Sequence, residues 1–129
     1  MVKELWDKGL AVRKEVLGAE YVERNLAGAD DFTMPMQELV TQSCWGWLWA
    51  RPQMPRKMRS LINLAILSAL NRPHEFKAHA KGALTNGCTR EEIREVLLQV
   101  AVYCGMPAGV EAFRLAREAM KEYEQEKRS

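Results

Sequence analysis

The chain has 129 residues, of which 47% are hydrophobic and 28% charged, with 19 basic against 17 acidic side chains. That length fits a single domain, residues 1–129, able to bury roughly two thirds of the surface its unfolded chain exposes. A net charge of +2, with no basic stripe interleaved with aromatics, excludes an electrostatic nucleic-acid binder. No run approaches the ~20 apolar residues of a membrane helix, and residues 1–14 lack a signal-peptide core. The expectation is a cytoplasmic protein without membrane or nucleic-acid partners.

Taken in order, almost every segment reads as helix, and no run sustains period-two alternation. Residues 2–17 are amphipathic, with Leu5, Trp6, Leu10, Val12 and Val16 as apolar candidates and Gly18 as a stop. A short helix follows over 20–26, then a loop at 27–31. Thr33 is placed to cap a helix running to about Trp49, with Pro35 in its first turn. Arg51-Pro52-Gln53-Met54-Pro55 breaks it.

The next helix, 55–70, is apolar nearly all round in its second half, so a central, buried position is expected. Another covers 74–85 and stops at Asn86-Gly87. Thr89-Arg90-Glu91-Glu92 has the form of a capping box. The helix it opens carries Ile93, Val96, Leu97, Val100, Ala101 and Cys104 at helical spacing. Gly105-Met106-Pro107 punctuates, and a last helix runs over 108–124. The predicted fold class is all-α.

The three cysteines are an odd number without close pairing, which argues for reduced thiols. Cys104 reads as a core thiol and Cys44 as the exposed one.

The densest chemical signal is Trp45-Gly46-Trp47-Leu48-Trp49-Ala50-Arg51-Pro52. Trp45 and Trp49 share a helical face and Trp47 points elsewhere. Rigid apolar walls beside a cationic fork suit a pocket for a small flat anion, a subunit interface, or plain core packing.

Seven stretches in order resemble the carboxymuconolactone decarboxylases, specifically their 4-carboxymuconolactone (gamma) branch. They are Arg13-Lys14-Glu15-Val16-Leu17-Gly18, the Trp45 to Pro52 run, Arg59-Ser60-Leu61-Ile62, and Glu75-x-x-x-His79. Gly82-Ala83-Leu84-x-Asn86-Gly87, Glu91 to Val96, and Tyr103-Cys104-Gly105-Met106-Pro107-Ala108 complete the set. The resemblance implies an alkylhydroperoxidase-D-like helical fold in a ring-like homo-oligomer, trimer or hexamer. It also implies conversion of 4-carboxymuconolactone to 3-oxoadipate enol-lactone in the protocatechuate branch of the beta-ketoadipate pathway. The peroxidase members of that superfamily carry a Cys-x-x-Cys pair ahead of a histidine. Counted back from His79, those positions hold Arg72 and Glu75, so paired-thiol peroxidase chemistry has no residues to run on.

Decarboxylation of such a lactone needs no cofactor, because the ring double bond and carbonyl accept the electron pair as a dienolate. The protein must anchor the carboxylate that stays, stabilise the growing oxyanion, and protonate carbon. Arg51 and Arg59 suit the first task, since a guanidinium grips a carboxylate through two parallel hydrogen bonds. A C-cap with a surface ion pair for Arg51, and an ion pair with Glu38 or Glu75 for Arg59, are the structural alternatives.

His79 suits the proton transfer, although a histidine on an apolar face is often simply part of a core. Trp45 and Trp49 would wall a dry pocket. Tyr103, Gln37 and Glu38 are further substrate-binding candidates, and Glu75 a possible acid or base. His74 is expected to face solvent. It lies five residues from His79 on a different helix face, so no metal site is expected. Two alternatives stand beside the pathway enzyme. One is a decarboxylase of another small unsaturated or beta-keto carboxylate. The other is a thiol-independent superfamily member, peroxidase-like or a non-catalytic oligomeric binding protein.

Overall fold

The computed structural model describes residues 1–128. Among these the fold is all-α, with seven α-helices, one π-helical segment and no strand. The chain divides into two compact units, Met1–Pro55 and Arg56–Ser129.

In the first unit, α1 (Lys3–Leu17), α2 (Ala19–Ala27) and α3 (Met34–Leu39) lead into a π-helical segment, Val40–Leu48. Gly18 ends α1 with a φ of 95°, a left-handed value glycine adopts without steric cost, and its N–H returns to the Lys14 carbonyl at 2.9 Å. The core of this unit is Val12 and Val16 of α1 against Trp45 and Trp49.

The region from 33 to 49 departs from the single capped α-helix expected. Thr33 makes no side-chain cap. Its hydroxyl is occupied by the preceding loop, accepting from the Asp30 N–H at 2.9 Å and donating to Asp30 Oδ1 at 3.1 Å. The α-helix ends at Leu39, and the coil then widens to i→i+5 bonding, with the Trp49 N–H on the Cys44 carbonyl at 2.9 Å. An apolar periodicity of three to four residues does not distinguish these two coils. The widened segment packs on α1 backbone to backbone. A Cβ on Gly9 would collide with the Thr41 carbonyl, and one on Gly46 with that of Leu5.

The second unit contains α4 (Arg56–Ala69), α5 (Pro73–Thr85), α6 (Arg90–Cys104) and α7 (Met106–Arg128). Its core is Leu64, Phe76, Ala80, Ala83, Ile93, Leu97, Ala112, Leu115, Ala116 and Ala119. The expected capping box is present: Thr89 Oγ1 accepts from the Glu92 N–H at 3.0 Å, and Glu92 Oε1 accepts from the Thr89 N–H at 2.9 Å.

Three expectations are corrected here. Only Ser60 and Leu64 of α4 are buried, while Met58, Ile62, Ile66 and Leu70, each four residues from the next, form an exposed apolar row. Helix α7 runs past 124. Its charged end is held by Lys77, at 2.6 Å from Glu122, and by Lys81, at 2.9 Å from Glu122 and 2.8 Å from Glu126. The cysteines also change places, with Cys104 exposed, Cys44 half-buried and Cys88 buried. Cys104 is the last residue of α6, beyond the final buried residue, Val100. The Cys88 thiol donates to the Lys57 carbonyl at 3.5 Å, and burial pushes it up to about 11.

Candidate functional site

In the second unit the candidate chemistry gathers where α4 faces α5. His79 sits in the middle of α5, one residue before buried Ala80, and is itself half-buried. Asn63 of α4 places its Nδ2 at 3.5 Å from His79 Nδ1. An amide N–H can only donate, so in this orientation Nδ1 accepts and Nε2 carries the ring hydrogen. Burial lowers the imidazole from its usual 6.5 to about 4, and the negative charge of Glu75, one turn earlier, offsets this only in part. The ring is therefore neutral at pH 7.

Arg59 lies one helical turn before Asn63, so the two share a side of α4. Its Nε is buried without an acceptor. It makes no ion pair among the described residues, so the ion-pair alternative is not realised. Below it, Asn86 Nδ2 donates to buried Ser60 Oγ at 2.9 Å and fixes the end of α5 against α4. Unit two thus sets Asn63 of α4 against His79 of α5, with Arg59 one turn before Asn63 on α4. Tyr103 stands apart. At the end of α6 it is 83% exposed, so no pocket of its own unit encloses its hydroxyl. His74 and Glu75 are exposed.

In the first unit, Trp45 and Trp49 are buried with ring centroids 4.9 Å apart and planes tilted by 30°. Trp47 points outward, and the guanidinium of exposed Arg51 lies 4.9 Å from its ring centroid. A cation on a ring face stands where the structural alternative had a surface ion pair. The half-buried Glu38 has its backbone carbonyl occupied by Gln42 Nε2 at 3.1 Å. Gln37 turns inward, accepting through Oε1 from Arg13 Nη1 at 3.0 Å.

Arg13 and Asn63 were not singled out as site candidates by sequence. Arg13 does carry a signal in hindsight. It falls among Gly9, Val12 and Val16 on the buried stripe of α1, where an arginine is almost never fully enclosed unless paired. Asn63 carries none, because one asparagine in an apolar helix has many uses.

A cavity of about 310 Å³ lies in unit two, lined by Leu67, Asn71, Phe76, Pro107 and Leu115 among others. A wider groove of about 750 Å³ is rimmed by Arg90, Arg94, Arg117 and Lys121. None of the sequence-predicted site residues lines either one. No helix among the described residues is long and apolar enough to cross a membrane.

The profile of the carboxymuconolactone decarboxylase family matches residues 35–118. The chain is 44% identical over 120 residues, 93% of its own length and 84% of the other's, to a nitrosuccinic acid decarboxylase of Metarhizium robertsii. It is 38% identical over 120 residues, 93% of its length and 90% of the other's, to a 4-carboxymuconolactone decarboxylase of Acinetobacter baylyi.

Proposed function

The chain belongs to the carboxymuconolactone decarboxylase family, and from that premise we propose that it removes carbon dioxide, without a cofactor, from a small dicarboxylic acid carrying its own electron sink. The first candidate substrate is 4-carboxymuconolactone, with 3-oxoadipate enol-lactone as product and a place in the beta-ketoadipate pathway. The second reading, nitrosuccinic acid, is favoured by the 44% relative. The two acids share one logic. Each has two carboxyl groups, and each can take up the electron pair of the broken C–C bond, on a lactone enolate or on a nitronate.

The observation that carries the reading is a half-buried Arg59 whose enclosed Nε lacks an acceptor, on the helix that packs Asn63 against a neutral, half-buried His79. Arg59 has an Nε–H awaiting an acceptor, and a carboxylate is its best match. His79 is neutral in the free chain, so an imidazolium does not wait there. The negative charge of an arriving dianion raises the imidazole pKa, because opposite charges favour the protonated form. The proton is then taken up with the substrate. As the carbon–carboxyl bond breaks, the electrons pass into the sink, and the proton moves from His79 to the carbon left behind.

Arg51, in the first unit, keeps its candidate role as a carboxylate-binding residue in this proposal. Trp45 and Trp49 fix the wall on which the first unit is built, and Gln37, Glu38 and Tyr103 are substrate contacts. The exposed row Met58, Ile62, Ile66 and Leu70, with Val102, Met106 and Val110 of α6 and α7, is the apolar surface that a homo-oligomer, trimer or hexamer, would cover.

The test is carbon dioxide release from each acid by purified chain, beside His79→Ala and Arg59→Lys. Turnover in the usual enzymatic range of ~1–10³ per second, lowered ~10²-fold or more in a folded His79→Ala, supports the proposal. Equal turnover in that variant removes His79 from the chemistry, and no release from either acid removes the substrate class.

A further inference from the structure

Arg13 is 6% exposed and lies outside the segment that matches the family profile. Its guanidinium is held from one side only. Nη1 donates to Gln37 Oε1 at 3.0 Å and to Thr41 Oγ1 at 3.2 Å, and Thr41 is itself fully buried. Nε is enclosed and has no acceptor. Nη2 makes no hydrogen bond, yet it is not among the fully enclosed atoms. Arg13 makes no ion pair among the described residues, and the groups favouring its charge are Tyr21 and Cys44, of which burial makes Cys44 harder to ionise.

A buried guanidinium is ordinarily paired with a carboxylate. Here the two neutral acceptors hold the guanidinium in a fixed plane and leave one edge unspent. That edge, Nε–H beside Nη2–H, presents two parallel donors at the spacing of carboxylate oxygens. We propose that the first unit contains a carboxylate-binding site in which Arg13 grips a small organic acid through its Nε–Nη2 edge, with Gln37 and Thr41 positioning the guanidinium. Lysine cannot substitute, because one ammonium point charge lacks the fork. The site stands on the geometry of the first unit; it shares Gln37 with the decarboxylase reading but rests on none of that reading's chemistry.

The experiment titrates the full chain with succinate, with uncharged succinamide as control, by calorimetry and by the arginine Nε–H signals in NMR. Succinate is expected to bind, succinamide not, and the Arg13 Nε–H signal to move downfield as succinate is added. Arg13→Lys is expected to bind succinate ~tenfold more weakly or worse, with unchanged circular dichroism. Where Arg13→Lys does not fold, Thr41→Val keeps the fork and loosens its plane, and a severalfold weaker affinity is expected. An unmoved Nε–H signal, equal binding of the two probes, or undiminished affinity in a folded Arg13→Lys or Thr41→Val overturns the proposal. A change of sedimentation in Arg13→Lys with succinate binding intact also overturns it, assigning the edge to a second copy of the chain.

Discussion

Asn63 Nδ2 lies 3.5 Å from His79 Nδ1 across the α4–α5 seam. With the amide nitrogen facing the ring, Nδ1 is the acceptor of this contact and Nε2 carries the hydrogen. Replacing the neutral amide by a carboxylate reverses the electrostatics. Asn63→Asp is expected to raise the His79 pKa by at least about one unit, since an opposite charge within ~4–6 Å favours imidazolium. The ring-proton NMR titration reads this directly. Asn63→Leu, which removes the donor, is expected to lower kcat by ~tenfold with KM little changed. An unmoved titration in a folded Asn63→Asp would show that the contact does not persist in solution.

The low His79 pKa has a consequence for stability. Above pH 6.5 the imidazole is neutral in both folded and unfolded chains and contributes nothing. Below 6.5 the unfolded chain takes up a proton that the folded chain refuses until about pH 4, so stability is lost as pH falls through that window. For a half-buried ring the loss is about 1–3 kcal/mol. Carboxylates such as Glu92 and Glu122, held below their usual range by Lys57 and Lys77, lose their contributions near the lower end of the window. Subtracting His79→Gln from wild type cancels them. Urea unfolding at pH 7 and pH 4.5 should show wild type losing more than His79→Gln, and equal losses would mean the ring titrates normally.

Helix α7 is longer than its apolar pattern because charge holds its end. Glu122 lies between Lys77 at 2.6 Å and Lys81 at 2.9 Å, and its neighbours Glu118 and Glu126 extend the ladder. These groups are partly exposed, so each pair contributes little. Glu122→Gln, which touches two of them, is expected to cost about 0.5–1 kcal/mol at low salt. The difference should shrink toward zero in ~1 M salt, where screening acts over ~3 Å. A difference that survives high salt would assign the effect to packing.

The elements legible in the sequence were those with a local cause. Gly18 stops α1 through its positive φ, the Thr89–Glu92 box opens α6, and a 3.6-residue period marks both helices. What escaped depends on partners distant in sequence. Apolar residues all round α4 meant burial by pattern, yet its Met58-to-Leu70 row is exposed, because one chain covers only one side of that helix. Of the candidate site, His79 and Arg59 stood out as residue types, whereas the Asn63–His79 contact depends on the packing of α4 on α5. Arg13 was passed over because its significance lies in what surrounds it, Gln37 and Thr41, which are 24 and 28 residues away in sequence.

The widened coil at 40–48 was hidden for the same reason, and its cause predicts its weakness. Gly9 of α1 and Gly46 of the π-helical segment permit the two backbones to touch, with the carbonyls of Thr41 and Leu5 seated where a Cβ would be. Those obstacles are backbone atoms, which cannot turn aside as a flexible side chain can. Gly9→Ala and Gly46→Ala are therefore each expected to destabilise the chain by about 1–3 kcal/mol or more, although alanine is the better helix former at both positions by about 1 kcal/mol. The same separation would shift Trp45 and Trp49, so their fluorescence should move to the red as water reaches the rings. Gly28→Ala is the control, since its position at the end of α2 meets only ordinary contacts. Equal stability of Gly46→Ala and Gly28→Ala in denaturant would refute the close approach of α1 and the π-helical segment.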